Sequence, residues 1–135
     1  MLQLTEHAGV DFYSLQVGAA AADIANNQAQ VLVTDLSDKI TDDWCATAAA
    51  IKSMSMVVTT DTSVAHLAAI LGKPTIMLIA RRDWWRWGNS GSTTPWYPTM
   101  TIIRQALPYS WAAEIKQASA LIGQAARERS ASQAA

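Results

Sequence analysis

The chain has 135 residues, the size of one compact domain, and half of them are apolar while only 16% are charged. Ten basic against eleven acidic residues leave a formal net charge of −1, so no overall basic field is available to bind nucleic acid. The charge is unevenly divided, because residues 1–80 carry −5 and residues 81–135 carry +4. The composition therefore predicts a globular domain with an acidic first part and a basic last part.

The single cysteine and the N-terminal residues indicate the cellular environment of the protein. Cys45 alone excludes an intramolecular disulfide framework and a four-cysteine zinc site, which favours a reducing cytoplasm. Residues 1–10 lack the basic and apolar regions of a signal peptide. No stretch approaches the roughly 18 to 20 apolar residues that a membrane span needs. We therefore expect a soluble cytoplasmic protein.

Short β-branched runs alternate along the chain with alanine-rich stretches, which is the pattern of an α/β domain with a mostly parallel sheet. Five strands are expected at about residues 11–16, 31–35, 56–60, 75–79 and 101–104. The runs from Met56 and from Ile76 are continuously apolar, which indicates strands that helices cover on both faces.

Helices are expected at about residues 19–26, 44–54, 63–71 and 110–127, with a flexible tail over 128–135. Gly72 should close the third helix. The Thr-Asp-Asp segment at 41–43 can cap the second helix and complement its dipole. Apolar residues recur along that helix at i, i+4 and i+7 and predict its buried stripe. They are Trp44, Ala48 and Ile51.

The segment at residues 59–66, Thr-Thr-Asp-Thr-Ser-Val-Ala-His, passes from a strand into a helix. A helix N-terminus at the carboxyl end of a parallel strand offers free amides and a positive dipole end, which favour phosphate. The Thr62 and Ser63 hydroxyls can add donors, and His66 can reach a phosphate oxygen. Asp61 would cap the helix or accept a hydrogen bond from a sugar hydroxyl. Alternatively, Asp61 or Thr62 merely caps the helix and His66 packs against a neighbour.

A second candidate follows the first strand. Ser14 and Gln16 are expected on one strand face, with Gln16 near the carboxyl end, where open α/β sheets bind ligands. Gly18 then allows a tight turn or the close approach of a ligand. The alternative is an ordinary junction between a strand and a helix.

The sequence contains no dinucleotide-binding or P-loop fingerprint, no nucleophile elbow and no metal-ligand spacing.

A connection of about twenty residues between the fourth and fifth strands contains four of the six tryptophans. Its two aromatic segments are Arg81-Arg82-Asp83-Trp84-Trp85-Arg86-Trp87 and Pro95-Trp96-Tyr97-Pro98. Arg and Trp side chains together can hold a planar ring or an anionic group. Alternatively, Trp85, Trp87 and Trp96 cover the end of the sheet as a small additional core.

Taken in order, several segments resemble the C-terminal half of heptosyltransferase-like bacterial glycosyltransferases, of the group often fused to tetratricopeptide repeats. The resemblance covers roughly residues 11–105. The segments are Phe12-Tyr13-Ser14-Leu15-Gln16, Val33-Thr34-Asp35-Leu36-Ser37, Val57-Val58-Thr59-Thr60-Asp61-Thr62-Ser63-Val64-Ala65-His66-Leu67-Ala68, Gly72-Lys73-Pro74, Asp83-Trp84-Trp85-Arg86-Trp87 and Pro95-Trp96-Tyr97-Pro98.

The resemblance implies one half of a GT-B fold, a Rossmann-like three-layer α/β/α domain that binds a nucleotide-diphosphate sugar. This domain would extend over residues 1–127. No metal or other cofactor is implied, and the catalytic base is expected on a separate N-terminal, acceptor-binding domain. The implied donor-binding residues are Ser14, Gln16, Thr60, Asp61, Thr62, Ser63, His66, Arg86 and Trp87.

In this family a further strand precedes the segment at residues 12–16, and it is central in the strand order 3-2-1-4-5-6. Only eleven residues precede Phe12 here, so the strands at Phe12 and Met56 are expected to lack a partner on facing sides. The two strands would then close up, or another segment or chain would fill the gap.

The resemblance implies transfer of a sugar to a glycan or a lipid-linked acceptor. Turnover is expected to need the N-terminal domain or a second chain, for example in a homodimer. The location would be cytoplasmic, or peripheral at the inner membrane through the acceptor. The rival interpretation is a non-catalytic domain for oligomerisation or partner contact. A GT-B epimerase is less well supported, because only Asp35 and Asp61 follow strand ends.

Overall fold

A computed structural model describes residues 2–41, 43–81 and 85–133. The five predicted strands are confirmed, with slightly different ends, and every strand pair is parallel. The fold is therefore the α/β class that the alternating pattern predicted. The strands are β1 (Phe12–Ser14), β2 (Val33–Asp35), β3 (Val57–Thr60), β4 (Thr75–Ile79) and β5 (Met100–Arg104).

The helices lie between and after these strands. They are α1 (Ala22–Asn26), α2 (Ser37–Ile40), α3 (Trp44–Ser53), α4 (Ser63–Ile70) and α5 (Ala112–Gln133), with 3-10 helices at Leu2–Thr5 and Gly18–Ala21. The first predicted helix is thus divided into a 3-10 turn and α1, and α2 was not predicted. Helix α5 continues to Gln133, past the end expected near Arg127.

The chain divides into two compact units. The first unit contains residues 1–47 and 119–135, and the second contains residues 48–118. A single domain over residues 1–127 stays a prediction.

The first unit contains the two-stranded sheet, in which Phe12 pairs with Val33 and Ser14 with Asp35. Asp35 then starts α2, because its carboxylate accepts from the Ser37 amide at 2.8 Å and from the Ser37 hydroxyl at 3.0 Å. The buried apolar residues of this unit are Leu4, Ile24, Ala29, Ile40 and Ile122.

The second unit contains the three-stranded sheet in the order β3-β4-β5. All five residues of β4 are buried, as the continuous apolar run predicted. Gly72 adopts a φ of +73° one residue after the C-cap Leu71 of α4, and its amide donates to the Ala69 carbonyl at 3.0 Å, which confirms its role in closing that helix. Seven buried residues form one apolar cluster in this unit. They are Ala65, Ala69, Met77, Ile79, Trp87, Met100 and Ile102.

Within the described residues, β1 pairs with β2 alone and β3 with β4 alone. Residues 2–10 contain a 3-10 helix and no strand. Each of the two strands therefore has one strand partner in the part of the chain that the structure describes. The expectation that β3 is covered on both faces is wrong, because only Val57 among its residues is buried.

The buried face of α3 differs from the apolar stripe that the sequence predicted. Trp44 is 58% exposed, while Thr47 and Ile51, one turn apart, are buried. Thr47 can be buried because its hydroxyl donates to the Asp43 carbonyl at 3.0 Å. The Asp43 carboxylate caps the helix, accepting from the Cys45 amide at 2.8 Å. The other predicted cap residue, Asp42, lies outside the described residues.

Candidate functional site

In the second unit, the turn between β3 and α4 exposes several hydroxyl groups. Thr62 precedes the helix with extended backbone, and its side chain makes no hydrogen bond to the amides of the first turn. The Thr62 hydroxyl lies 3.2 Å from Thr59 Oγ1 and 3.4 Å from the Thr60 carbonyl instead. Thr60, Thr62 and Ser63 are all exposed. The alternative in which the Thr62 side chain caps the helix is therefore wrong.

His66 lies one turn into α4 and has a neighbour at each ring nitrogen. Its Nδ1 is 2.8 Å from Tyr97 Oη, and its Nε2 is 4.0 Å from Asp61 Oδ1. The side chains of His66 and Asp61 are 29% and 21% exposed. His66 therefore packs against a neighbour, as one alternative held, and also keeps its Nε2 edge toward a carboxylate at a partly open position.

Two aromatic rings surround His66. Trp87 stacks on it with ring centroids 5.3 Å apart and an interplanar angle of 28°. Tyr97 meets it edge-on, with centroids 5.5 Å apart. We call Asp61, His66, Trp87 and Tyr97 the His66 cluster. The cluster joins the start of α4 to the long connection between β4 and β5.

Trp87 is only 3% exposed, and its indole Nε1 has no hydrogen-bond acceptor among the described residues. The unpaired buried donor costs about 1–3 kcal/mol. The ring belongs to the apolar cluster under the sheet end, whereas Trp85 and Trp96 are 76% and 59% exposed. The interpretation of the tryptophans as a small core therefore applies to Trp87 and is wrong for the other two.

Arg104, the last residue of β5, holds the segment that carries Trp87. Its Nε donates to the Gly91 carbonyl at 2.9 Å and its Nη1 to the Gly88 carbonyl at 3.0 Å. Its Nη2 donates to the carbonyls of Trp87 and Ser90. Gly88 and Gly91 have φ values of +62° and +80°, which a β-carbon would disfavour. The guanidinium thus organises this turn, because four main-chain oxygens of the turn accept hydrogen bonds from it.

The other parts of the connection are also anchored. Trp96 Nε1 donates to the Arg86 carbonyl at 3.1 Å. The Arg86 guanidinium lies 5.6 Å from the centre of the exposed Trp85 ring, a cation–π arrangement. Arg82, Asp83 and Trp84, which the sequence placed in the same candidate site, lie outside the described residues.

Ser14 and Gln16 lie in the first unit, whereas the other seven predicted site residues lie in the second. Ser14 is buried, and its hydroxyl accepts from the Gln16 amide at 3.2 Å. Gln16 is exposed and follows the end of β1, so the expectation that both residues share a strand face is wrong. Gly18 has a φ of +62° at the start of the 3-10 helix Gly18–Ala21, a conformation that glycine adopts without strain.

The sequence interpretation gave no role to Tyr97 or Arg104. Tyr97 was quoted within an aromatic segment, but its contact with His66 joins residues 31 positions apart. A charged residue at the end of a buried strand was the available signal for Arg104, although its acceptors are main-chain oxygens that no side-chain pattern reveals.

Two features are absent from residues 2–41, 43–81 and 85–133. No three His, Cys, Asp or Glu side chains in these ranges lie together so that they can hold a metal ion. Over the same ranges, no helix combines the length and the apolar character needed to cross a membrane.

Parallel strands with intervening helices, and a polar helix start at the carboxyl end of β3, define a Rossmann-like α/β fold that agrees with half of a GT-B glycosyltransferase. The family model described as glycosyltransferase family 9 (heptosyltransferase) matches residues 19–121, and the chain belongs to this family. The match includes the whole His66 cluster and leaves out Ser14 and Gln16. Searches of curated proteins and of solved structures returned no match.

Proposed function

We propose that this glycosyltransferase domain binds a nucleotide-diphosphate sugar, and that the start of α4 and the His66 cluster hold the diphosphate end. The observation that carries this proposal is the position of His66. Its Nε2 lies at a partly open edge, 4.0 Å from Asp61 and too far away for a direct hydrogen bond.

Three features of the turn favour an oxygen-rich anion. The α4 amides receive no side-chain cap from Thr62, so they can bind phosphate oxygens with the help of the helix dipole. The Thr62 and Ser63 hydroxyls are exposed and can add donors. His66 supplies a ring N–H one turn further along the helix.

Asp61 has a different role in this proposal. A carboxylate next to a phosphate is repulsive, but it is a strong acceptor for hydroxyl groups. We therefore assign Asp61 to a sugar hydroxyl of the donor and His66 to a phosphate or glycosidic oxygen. Because the two side chains are 4.0 Å apart, they can bind adjacent groups of the same donor molecule.

Two residues of the long connection, Trp87 and Arg86, also take part in the proposed site. Because Trp87 is buried, its contribution is to hold the His66 ring by stacking. Arg86, its neighbour in sequence, supplies positive charge that offsets part of the donor charge. The roles predicted for Ser14 and Gln16, which lie in the other unit, stay predictions.

In the proposed reaction, the bond between the anomeric carbon and the diphosphate oxygen breaks, and a bond to an acceptor hydroxyl oxygen forms. The proton of the acceptor hydroxyl passes to a catalytic base, which we place on an N-terminal acceptor-binding domain. The departing diphosphate oxygen takes the bonding electron pair and gains one negative charge, which the α4 amides and the basic side chains stabilise without a metal. The acceptor is proposed to be a glycan or a lipid-linked hydroxyl.

The experiment is calorimetric titration of the chain with UDP and with ADP, for the unchanged protein and for His66→Ala. Loss of one hydrogen bond to a charged group costs about 1.5–3 kcal/mol, which corresponds to a loss of affinity of about tenfold or more. His7→Gln is the matched control, because His7 lies in the first unit and contacts Ser119 at 2.9 Å. Equal affinities for His66→Ala and the unchanged protein would refute the role of His66. Absence of binding at millimolar nucleotide would favour a non-catalytic domain.

A further inference from the structure

We infer that His66 carries its proton on Nε2, a tautomer that the Asp61 carboxylate selects and that Tyr97, as a positioning residue, holds by donating its hydroxyl hydrogen to Nδ1. The consequence for ligand binding rests on the proposed function, whereas the tautomer itself does not. The inference starts from the two neighbours of the His66 ring, one at each nitrogen.

A neutral imidazole has one N–H and one lone pair, so two arrangements are open. In the first, Nδ1–H donates to Tyr97 Oη and the lone pair of Nε2 faces the Asp61 carboxylate across 4.0 Å. In the second, the Tyr97 hydroxyl donates to Nδ1 and Nε2–H faces the carboxylate. The first arrangement sets a lone pair against a negative charge, and the second sets a positive N–H dipole against it. The carboxylate therefore selects the second arrangement.

Tyr97 is suited to this role because its own position is fixed. It lies between Trp96, whose indole is bonded to the Arg86 carbonyl, and Pro98, whose ring restricts the backbone. Its carbonyl accepts from the Met100 amide at 3.1 Å, directly at the start of β5. The ring also packs against the buried apolar cluster of the second unit.

The consequence concerns what the site can accept. Phosphate oxygens, sugar ring oxygens and glycosidic oxygens are acceptors, so a donor at Nε2 attracts them and a lone pair at Nε2 repels them. Stacking on Trp87 at 28° limits rotation of the ring out of this orientation. Tyr97 thus fixes the ring from one edge, and Trp87 from one face, while neither needs to touch the ligand.

The test is nitrogen NMR of the histidine rings in the nucleotide-free protein, read at alkaline pH where the ring resonances no longer change with pH. Comparison with the His66→Gln spectrum assigns the two His66 resonances. We expect Nε2 to carry the proton and Nδ1 to show the shift of a hydrogen-bonded acceptor. A His66 ring with its proton on Nδ1 would overturn the inference.

Tyr97→Phe keeps the ring and removes the hydroxyl. The Nδ1 resonance should then move to the position of a nitrogen without a hydrogen bond, and the affinity for UDP or ADP should fall about three- to tenfold. Tyr109→Phe is the matched control, because Tyr109 is fully exposed, and it should change neither quantity. An unchanged Nδ1 resonance in Tyr97→Phe would also overturn the inference.

The two readouts separate the inference from the proposed function. The expected tautomer and the expected Tyr97→Phe shift, in a protein that binds no nucleotide, would support the role of Tyr97 and refute the proposed donor site. Nucleotide binding with the proton on Nδ1 would support the donor site and refute the role of Tyr97.

Discussion

Replacing Arg104 with lysine keeps the positive charge but removes the planar fork that reaches several carbonyls at once. In the structure, that fork binds the main chain at Trp87, Gly88, Ser90 and Gly91. A lysine ammonium group at the same place can keep a strong hydrogen bond to only one of these carbonyl oxygens. The substitution therefore tests whether the guanidinium organises the turn that carries Trp87.

The expected loss follows from the number of bonds. The contacts to Gly91, Gly88 and Trp87 are close, whereas the Ser90 carbonyl is at 3.4 Å and contributes little. Arg104 is half-buried, so water can reach part of the vacated turn, and we assign about 1 kcal/mol to each close bond. Losing two of three gives a decrease of about 2 kcal/mol in the free energy of unfolding for Arg104→Lys.

Urea denaturation followed by circular dichroism measures this decrease, with Arg129→Lys on exposed α5 surface as the matched control. Hydrogen exchange supplies a local readout, because the Ile102 amide donates to the Ser92 carbonyl at 2.8 Å beside the same turn. That amide should exchange faster in Arg104→Lys and at the normal rate in Arg129→Lys. A decrease below about 0.5 kcal/mol with unchanged exchange would refute the role of Arg104.

Two further pairs of substitutions test the burial and the capping described above. Trp87→Ala should lower the free energy of unfolding by about 3–5 kcal/mol, because a buried aromatic ring leaves a cavity, whereas exposed Trp85→Ala should change it by less than about 0.5 kcal/mol. Equal effects in urea denaturation would contradict the burial of Trp87. Asp43→Ala should cost about 1 kcal/mol through the lost cap of α3, and Thr62→Ala less than about 0.5 kcal/mol, because Thr62 makes no cap bond. A larger cost for Thr62→Ala would show that its hydroxyl does cap α4.

The strands were predictable because β-branched and apolar residues concentrate in short runs. β4 is the clearest case, since Thr75 to Ile79 match the predicted bounds and all are buried. β1 and β2 are shorter than expected, with three residues each. Exposed residues that flank them, such as Asp11 and Val31, do not enter the ladder.

The helices were less predictable where no periodic pattern exists. The four residues of α2 are too few to show a period, and the Asp35 carboxylate accepts from the first amide of the helix, that of Ser37, at 2.8 Å. Helix α5 extends beyond Arg127 because alanine, arginine and glutamate favour helix, and Gln124 bonds Glu128 at 2.8 Å. Trp44 matched an apolar spacing, but Thr47 occupies the buried face because its hydroxyl is satisfied by the backbone.

The candidate site also has one part that was predictable from local sequence and one part that was not. The strand-to-helix turn and His66 followed from local sequence, because a polar turn after an apolar strand marks a helix start. The neighbours of His66 did not, because Tyr97 and Trp87 reach it from a connection more than twenty residues away. Only the folded chain shows which aromatic side chains pack on that histidine and which stay exposed.

Amide NMR of the unchanged protein during titration with UDP and ADP tests donor binding at the start of α4 most directly. The account predicts that the largest shift changes fall on residues 60–66, with a smaller change at the indole resonance of Trp87 behind His66. Saturable changes elsewhere, with residues 60–66 unmoved at millimolar nucleotide, would contradict it.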